Sequence, residues 1–206
     1  MKKISVSAAV LLFSFTVLLA QRPAPPRQPV DAAIQKMLKE VSAKNIETSI
    51  RKLVSFGTRN TLSEQNNPTR GIGAARDWIF AEFEKISKDC GGCLTVEKQA
   101  FEQPKANRIP EPTILTNLVA TLKGTTDPTR IYVVSGHYDS MCSSPTDGKC
   151  DAPGANDDAS GTAAVIELAR VMSKQKFDAT IVFMAVAGEE QGLLGAAYFA
   201  EQAKQK

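Results

Sequence analysis

Histidine is almost missing from this chain: 206 residues contain one, His137. No metal site can draw a second imidazole from this sequence. An excess of one charge is missing too. Twenty-five basic residues face 22 acidic ones, a formal net charge of +3. Such a balance argues against nucleic acid or an anionic membrane as partner. Cysteines are few: Cys90, Cys93, Cys142 and Cys150. A four-thiolate zinc ribbon needs a second CxxC, and Cys142 to Cys150 is too wide for one. Beyond residues 4–20 there is no long apolar run, and that one is short for a membrane span. There is no internal repeat, and no low-complexity tract apart from a proline-rich stretch at 21–30.

Met1-Lys2-Lys3 followed by the uncharged, mostly apolar segment 4–20 reads as a secretory signal peptide cleaved near Ala20. Leu18 stands where a small residue is preferred, and an uncleaved anchor is the competing reading. Cleavage removes Lys2 and Lys3 and leaves 23 basic against 22 acidic residues, or +1. The product is expected to be secreted or periplasmic, with no stable membrane anchor. Residues 21–30, QRPAPPRQPV, carry four prolines and read as a linker. Residues 31–206 are then the folded part. An even cysteine count in an exported chain favours disulfides, here Cys90–Cys93 and Cys142–Cys150. A redox role for Cys90-Gly91-Gly92-Cys93 competes, but the usual strand-to-helix setting is lacking.

The remaining chain alternates helix and strand patterns. Residues 31–44, 45–56, 71–88, 162–173 and 192–204 have helical periodicity. Residues 94–101, 114–122, 131–134 and 179–187 read as strands. The last two are continuous apolar runs, which suits strands buried on both faces. The expected class is α/β: a three-layer sandwich with a mostly parallel central sheet covered by helices. Ligands in such sheets sit outside the carboxyl ends of the strands.

Two polar clusters follow the two apolar strands. The first is SGHYDSMCSSPTDGKCDAPGANDDASG, residues 135–161, with His137, Asp139 and the pair Asp157-Asp158. Asp139 lies two residues beyond His137, on the same side of an extended segment. Its carboxylate can accept the second ring N–H and fix the tautomer. The plainer reading of Asp157-Asp158 is helix capping near Ser160, which accounts for one acid but not for two. The second cluster is Gly188-Glu189-Glu190, at the end of the second apolar run. A solvated pair is the plainer reading. Yet two carboxylates there would divide into a metal ligand and a proton acceptor, as hydrolytic zinc sites require.

GHYDS, PGANDDASG and AGEEQGLLG together resemble the motifs of the co-catalytic zinc exopeptidases. That family includes bacterial secreted leucyl aminopeptidases, glutamate carboxypeptidase and glutaminyl cyclase. LVSFGTRNT, GIGAARDWIFAEF and NLVATLKG add to the likeness, which spans residues 46–202. The resemblance implies two zinc ions. It makes His137 a ligand of the first, Asp157 a bridge between both, often followed by a cis peptide bond, and Glu190 a ligand of the second. Asp139 would orient His137, and Glu189 would be the general base. It implies a peptidase acting on peptide or protein N-termini through a zinc-held hydroxide.

The family pattern also needs an acid and a second histidine beyond the Glu-Glu motif. This sequence offers neither in the expected context, so it supplies three of five expected ligands. It is therefore expected to be the first part of a longer catalytic domain. By itself it should be inactive, with the strand at 179–187 left as an apolar sheet edge. Two alternatives stay open: a one-zinc glutaminyl-peptide cyclotransferase, and a non-catalytic binding domain of the transferrin-receptor type.

Overall fold

The computed structural model describes residues 31–205. The expected signal peptide and linker, residues 1–30, lie outside the described residues. Helix α1, Ala32–Glu40, and helix α2, Ala43–Val54, answer to the two stretches expected at 31–44 and 45–56, with the boundary a few residues earlier. The break lies at Ser42, whose side chain caps α2 by accepting the Asn45 N–H at 3.2 Å. Helix α3, Gly71–Asp89, buries Ile72, Ala75, Ile79, Phe83 and Ile86, the stripe its periodicity predicts. Strands β1, Leu94–Gln103, β2, Thr113–Leu122, and β3, Asp127–His137, come next. A short irregular turn, Ala155–Ala159, leads into helix α4, Ser160–Met172. Strand β4, Ala179–Val186, and helix α5, Leu194–Lys204, complete the described chain.

The four strands lie in the order β1-β2-β4-β3. The sheet is not mostly parallel as expected. The pairs β1–β2 and β2–β4 are antiparallel, and β3–β4 is parallel. Connection length explains this. A parallel neighbour needs a long crossover, usually helical. The β3 to β4 connection holds such a helix, α4. Beta1 to β2 and β2 to β3 are joined by short non-helical segments, so each next strand runs back. Beta4 copies the direction of β3 but inserts next to β2, which makes that pair antiparallel as well. Counting strands as βαβ units from their apolar runs overlooked these two reversals.

The layers agree with the sandwich expectation. Alternate residues of each central strand point to opposite faces. Leu118, Ala120, Leu122, Ile181, Phe183 and Ala185 join the larger core under α2, α3 and α4. Val119, Val182, Met184 and Val186 form a smaller core covered by Ala196 and Phe199 of α5. Strand β4 is buried along its whole length, as its apolar run predicts. It is central, however, and not the edge strand. The edges are β1 and β3, and in β3 Ile131, Tyr132 and Val133 are 56%, 59% and 48% exposed. The expectation that this run is buried on both faces is therefore wrong for the described residues. An apolar run reports what a strand could bury, and here no described strand lies beyond it.

Parallel pairing of β3 with β4 is what builds the site. His137 pairs in register with Val186, so both strands end on one side of the sheet. Gly136, just before His137, lies close against the start of α4. A methyl group there would stand 2.7 Å from the Gly161 carbonyl carbon and the Thr162 nitrogen. The glycine lets the polar loop fold back over the strand end.

Candidate metal centre

His137 projects from the last residue of β3, with its side chain mostly buried. One ring nitrogen, Nε2, lies 3.0 Å from an Asp157 carboxylate oxygen and 3.9 Å from Glu189. The other, Nδ1, faces Asp139, 3.2 Å from its carbonyl oxygen and 3.5 Å from its carboxylate. One ligand atom each from His137, Asp157 and Glu190 lies within 4.8 Å of the other two. One imidazole and two carboxylates fit a catalytic zinc ion. Among the described residues this is one cluster of metal-binding size, not two, so a two-zinc centre is not met by this geometry. A second group, Cys142, Asp147 and Cys150, has its two sulfurs tied in a disulfide and cannot offer thiolates.

Asp139 is fully buried and works as a brace. Its carboxylate accepts the backbone N–H groups of Glu189 at 3.2 Å and Glu190 at 3.1 Å, and the Thr61 hydroxyl at 3.3 Å. One side chain thus ties the segment after β3 to the segment after β4. Arg108 adds a bond from its guanidinium to the Glu190 carbonyl at 2.7 Å. Tyr138, also buried, donates its hydroxyl to the Thr116 carbonyl on β2 at 2.8 Å.

The two adjacent aspartates separate. Asp158 turns inward, accepting the His137 N–H at 3.1 Å and the Gly161 N–H at 2.8 Å. It caps the start of α4, the role the plainer reading allowed to one of the two acids. The Ser160 hydroxyl donates to the Asn156 carbonyl at 2.8 Å. Asp157 turns outward to the His137 ring, its side chain well exposed. The peptide bond between them is cis.

Charges shift accordingly. Burial by itself would lower the His137 pKa, but the Asp139, Asp158 and Glu189 carboxylates outweigh it and raise it to about 9. Burial pushes the Glu190 carboxyl above its usual range, and the neighbouring Asp157 and Asp139 add to the effect. Anionic ligands packed this closely favour a bound cation or proton.

The structure brings all five residues singled out in the sequence, His137, Asp139, Asp157, Glu189 and Glu190, to one place. Both expected disulfides are present, Cys90–Cys93 at 2.07 Å and Cys142–Cys150 at 1.97 Å. Thr61, Arg108 and above all Arg59 were missed. Arg59 and Thr61 lie in LVSFGTRNT, which carried the family likeness but no role, and three of the four carbonyls that hold Arg59 are 79 to 95 positions away. A cleft of about 630 Å³ opens among Thr58, Arg70, Glu111 and Lys149, and none of the five candidate residues lines it.

The sequence model of peptidase family M28 matches residues 117–206, a span that holds all five. A probable zinc metalloprotease of Leptosphaeria maculans is 55% identical over 179 residues, covering 87% of this chain and 40% of its own length. Across residues 117–206 the chain belongs with peptidase family M28. A probable zinc metalloprotease of Pyrenophora teres f. teres is 53% identical over 86% of this chain and 37% of its own. This M28-like chain therefore spans about two fifths of the length of the curated relatives it matches. LapB from Legionella pneumophila shares the fold at a TM-score of 0.62 and 22% identity, over 86% of this chain and 44% of that one. Porphyromonas gingivalis glutaminyl cyclase shares it at 0.58 and 22%, over 77% and 52%.

Proposed function

We propose that this M28-like chain carries the zinc-binding part of an enzyme that acts on the N-terminal residue of peptides. The observation behind the reading is the convergence of His137, Asp157 and Glu190 at the ends of β3 and β4. These three residues would hold the ion. Zinc bound there supplies Lewis-acid polarisation of a carbonyl and of water. Asp139, with its carbonyl 3.2 Å and its carboxylate 3.5 Å from Nδ1, would hold the Nδ1 proton, while an ion at the cluster would take the place of the Nε2 proton. Glu189 stands beside the cluster, partly exposed and near His137 Nε2, free to take and return a proton.

Two reactions fit a carboxylate so placed. In hydrolysis by an aminopeptidase, Glu189 takes a proton from water and gives it to the departing amine. In cyclisation of an N-terminal glutamine, it takes the proton from the attacking α-amine and gives it to departing ammonia. The single cluster favours the second, a one-zinc glutaminyl-peptide cyclotransferase, over a two-zinc aminopeptidase. The names of the sequence relatives favour peptide hydrolysis. A purely binding role is the weakest reading, because three of the expected ligands, His137, Asp157 and Glu190, are kept together with Glu189. Export through the signal at 1–20, with 21–30 as linker and 31–206 as part of the catalytic domain, accords with two disulfides.

Metal analysis and product analysis test this together. A longer zinc-loaded parent that contains this chain is offered a leucyl anilide and a peptide beginning with glutamine, beside the 206-residue chain, which is expected to be inactive. Released aniline marks hydrolysis; ammonia with a peptide about 17 Da lighter marks cyclisation. Glu189→Gln is expected to keep zinc and lower turnover by about 10²- to 10⁴-fold. His137→Ala is expected to lose zinc. Retention of full zinc binding by His137→Ala would sink the ligand assignment.

A further inference from the structure

Arg59 heads the fully buried side chains of the described residues, and no ion pair holds it there. Its guanidinium donates to four main-chain carbonyls. Nε reaches Tyr138 at 2.7 Å, Nη1 reaches Pro153 at 2.7 Å and Leu53 at 3.3 Å, and Nη2 reaches Gly154 at 3.0 Å. Its own backbone pairs with Ser140 in both directions: the Arg59 N–H donates to Ser140 Oγ at 3.1 Å, and its carbonyl accepts the Ser140 N–H at 3.2 Å. One residue therefore joins the end of α2, the segment after His137, and the loop that leads to Asp157. Burial lowers its pKa to about 10, against the pull of Asp139 and Asp158, so it stays charged at neutral pH.

The acceptors are informative. Tyr138 follows His137 directly, and Gly154 precedes Asp157 by three residues. Gly154 has φ +44°, and a methyl group there would stand 2.9 Å from Arg59 Nη2 and 2.5 Å from the Asp157 carbonyl. The loop is closed directly onto the guanidinium. A planar group with several donors at fixed angles sets the spacing of its acceptors; an ammonium group does not.

We infer that Arg59 is a positioning residue for the metal centre, its guanidinium fixing the separation of the His137 and Asp157 segments. This rests on the proposal that His137 and Asp157 bind the ion. Partners that orient metal ligands typically change affinity by about 10- to 100-fold when removed.

Arg59→Met and Arg59→Lys in the full chain test it. Three readouts are compared with the unaltered chain: zinc affinity, the visible spectrum at saturating cobalt, and hydrogen exchange of amides 153–158. Arg59→Met is expected to weaken zinc by about 10- to 100-fold, to change the shape of the cobalt bands, and to speed exchange in 153–158 while β4 stays protected. A merely less stable fold would scale the cobalt bands without reshaping them. Arg59→Lys keeps the charge but not the fork, and should recover only part of the affinity. It also carries the test if Arg59→Met does not fold. Full recovery by lysine overturns the inference, as does an Arg59→Met protein with unchanged cobalt bands and exchange. If the unaltered chain binds no zinc, the ligand reading fails; the exchange comparison then decides Arg59, with faster loop exchange upholding its positioning role and unchanged exchange ending it.

Discussion

At the scale of single residues, the Asp157-Asp158 pair shows how neighbours in sequence take opposite tasks. One side chain faces the His137 ring, and the other holds two backbone N–H groups at the start of α4. Their substitutions should separate cleanly. Asp157→Ala is expected to lose zinc with little change in stability, because the side chain is exposed. Asp158→Ala leaves two N–H groups without their acceptor and should cost about 1–3 kcal/mol. Urea unfolding of both variants, beside zinc titration, checks this. Equal stability losses would mean that the two acids are not divided as described. The pairing of HxD with two later acids was legible from residue types alone. Which aspartate would turn inward was not, since both stand at the same loop end with the same chemistry.

At the scale of elements, Glu167 shows how the helical layer is fixed. It sits on α4, nearly buried, and accepts the Ser42 N–H at 2.7 Å and the Asn45 side chain at 3.3 Å, both at the start of α2. Arg170 completes it with bonds of 2.8 and 2.6 Å, and also reaches the Glu40 carbonyl at the end of α1. Burial pushes the Glu167 carboxyl up, but the bonds from Arg170, Ser42 and Asn45 outweigh burial and hold its pKa below the ordinary 4.5. A depressed carboxylate contributes stability above its unfolded pKa and loses it as pH falls through the folded one. Stability should therefore drop on acidification below about pH 4.5, and less steeply in Glu167→Gln. Glu167→Ala should cost about 2–4 kcal/mol at neutral pH, because Arg170 and the Ser42 N–H lose their acceptor. Denaturant unfolding as a function of pH measures both. An unaltered acid limb in Glu167→Gln would refute the assignment. In the sequence Glu167 is one acid inside an apolar helix, and only the packing of α2 on α4 gives it a task.

At the scale of the molecule, the exposed face of β3 is the liability. A strand edge with Ile131, Tyr132 and Val133 open to solvent offers unpaired backbone groups beside apolar surface. Self-association of the 206-residue chain is expected to grow with concentration. Tyr132→Lys places a charge on that edge and should lower the apparent mass in sedimentation, while leaving zinc affinity unchanged. A wild-type chain that stays monomeric at high concentration would show that the edge is protected. Arg130, directly before Ile131, pairs with Asp127 at 3.7 Å at the start of the strand.

The sequence by itself determined the elements and the donor set. Periodicity carried α3 and its buried stripe, an unbroken apolar run carried β4, and the residue types at 137, 139, 157, 189 and 190 carried the metal chemistry. These are local properties, written in nearest neighbours and spacing. Strand direction, strand order and the buried cation were decided by the tertiary structure alone. Beta4 slips between β2 and β3 because the α4 crossover is long enough to place it there, and nothing in the strand's own residues marks the slot. Arg59 is held by carbonyls, and every residue has a carbonyl. Leu53 is only six positions away, but which other three it meets depends on how segments 79 to 95 positions apart are folded together.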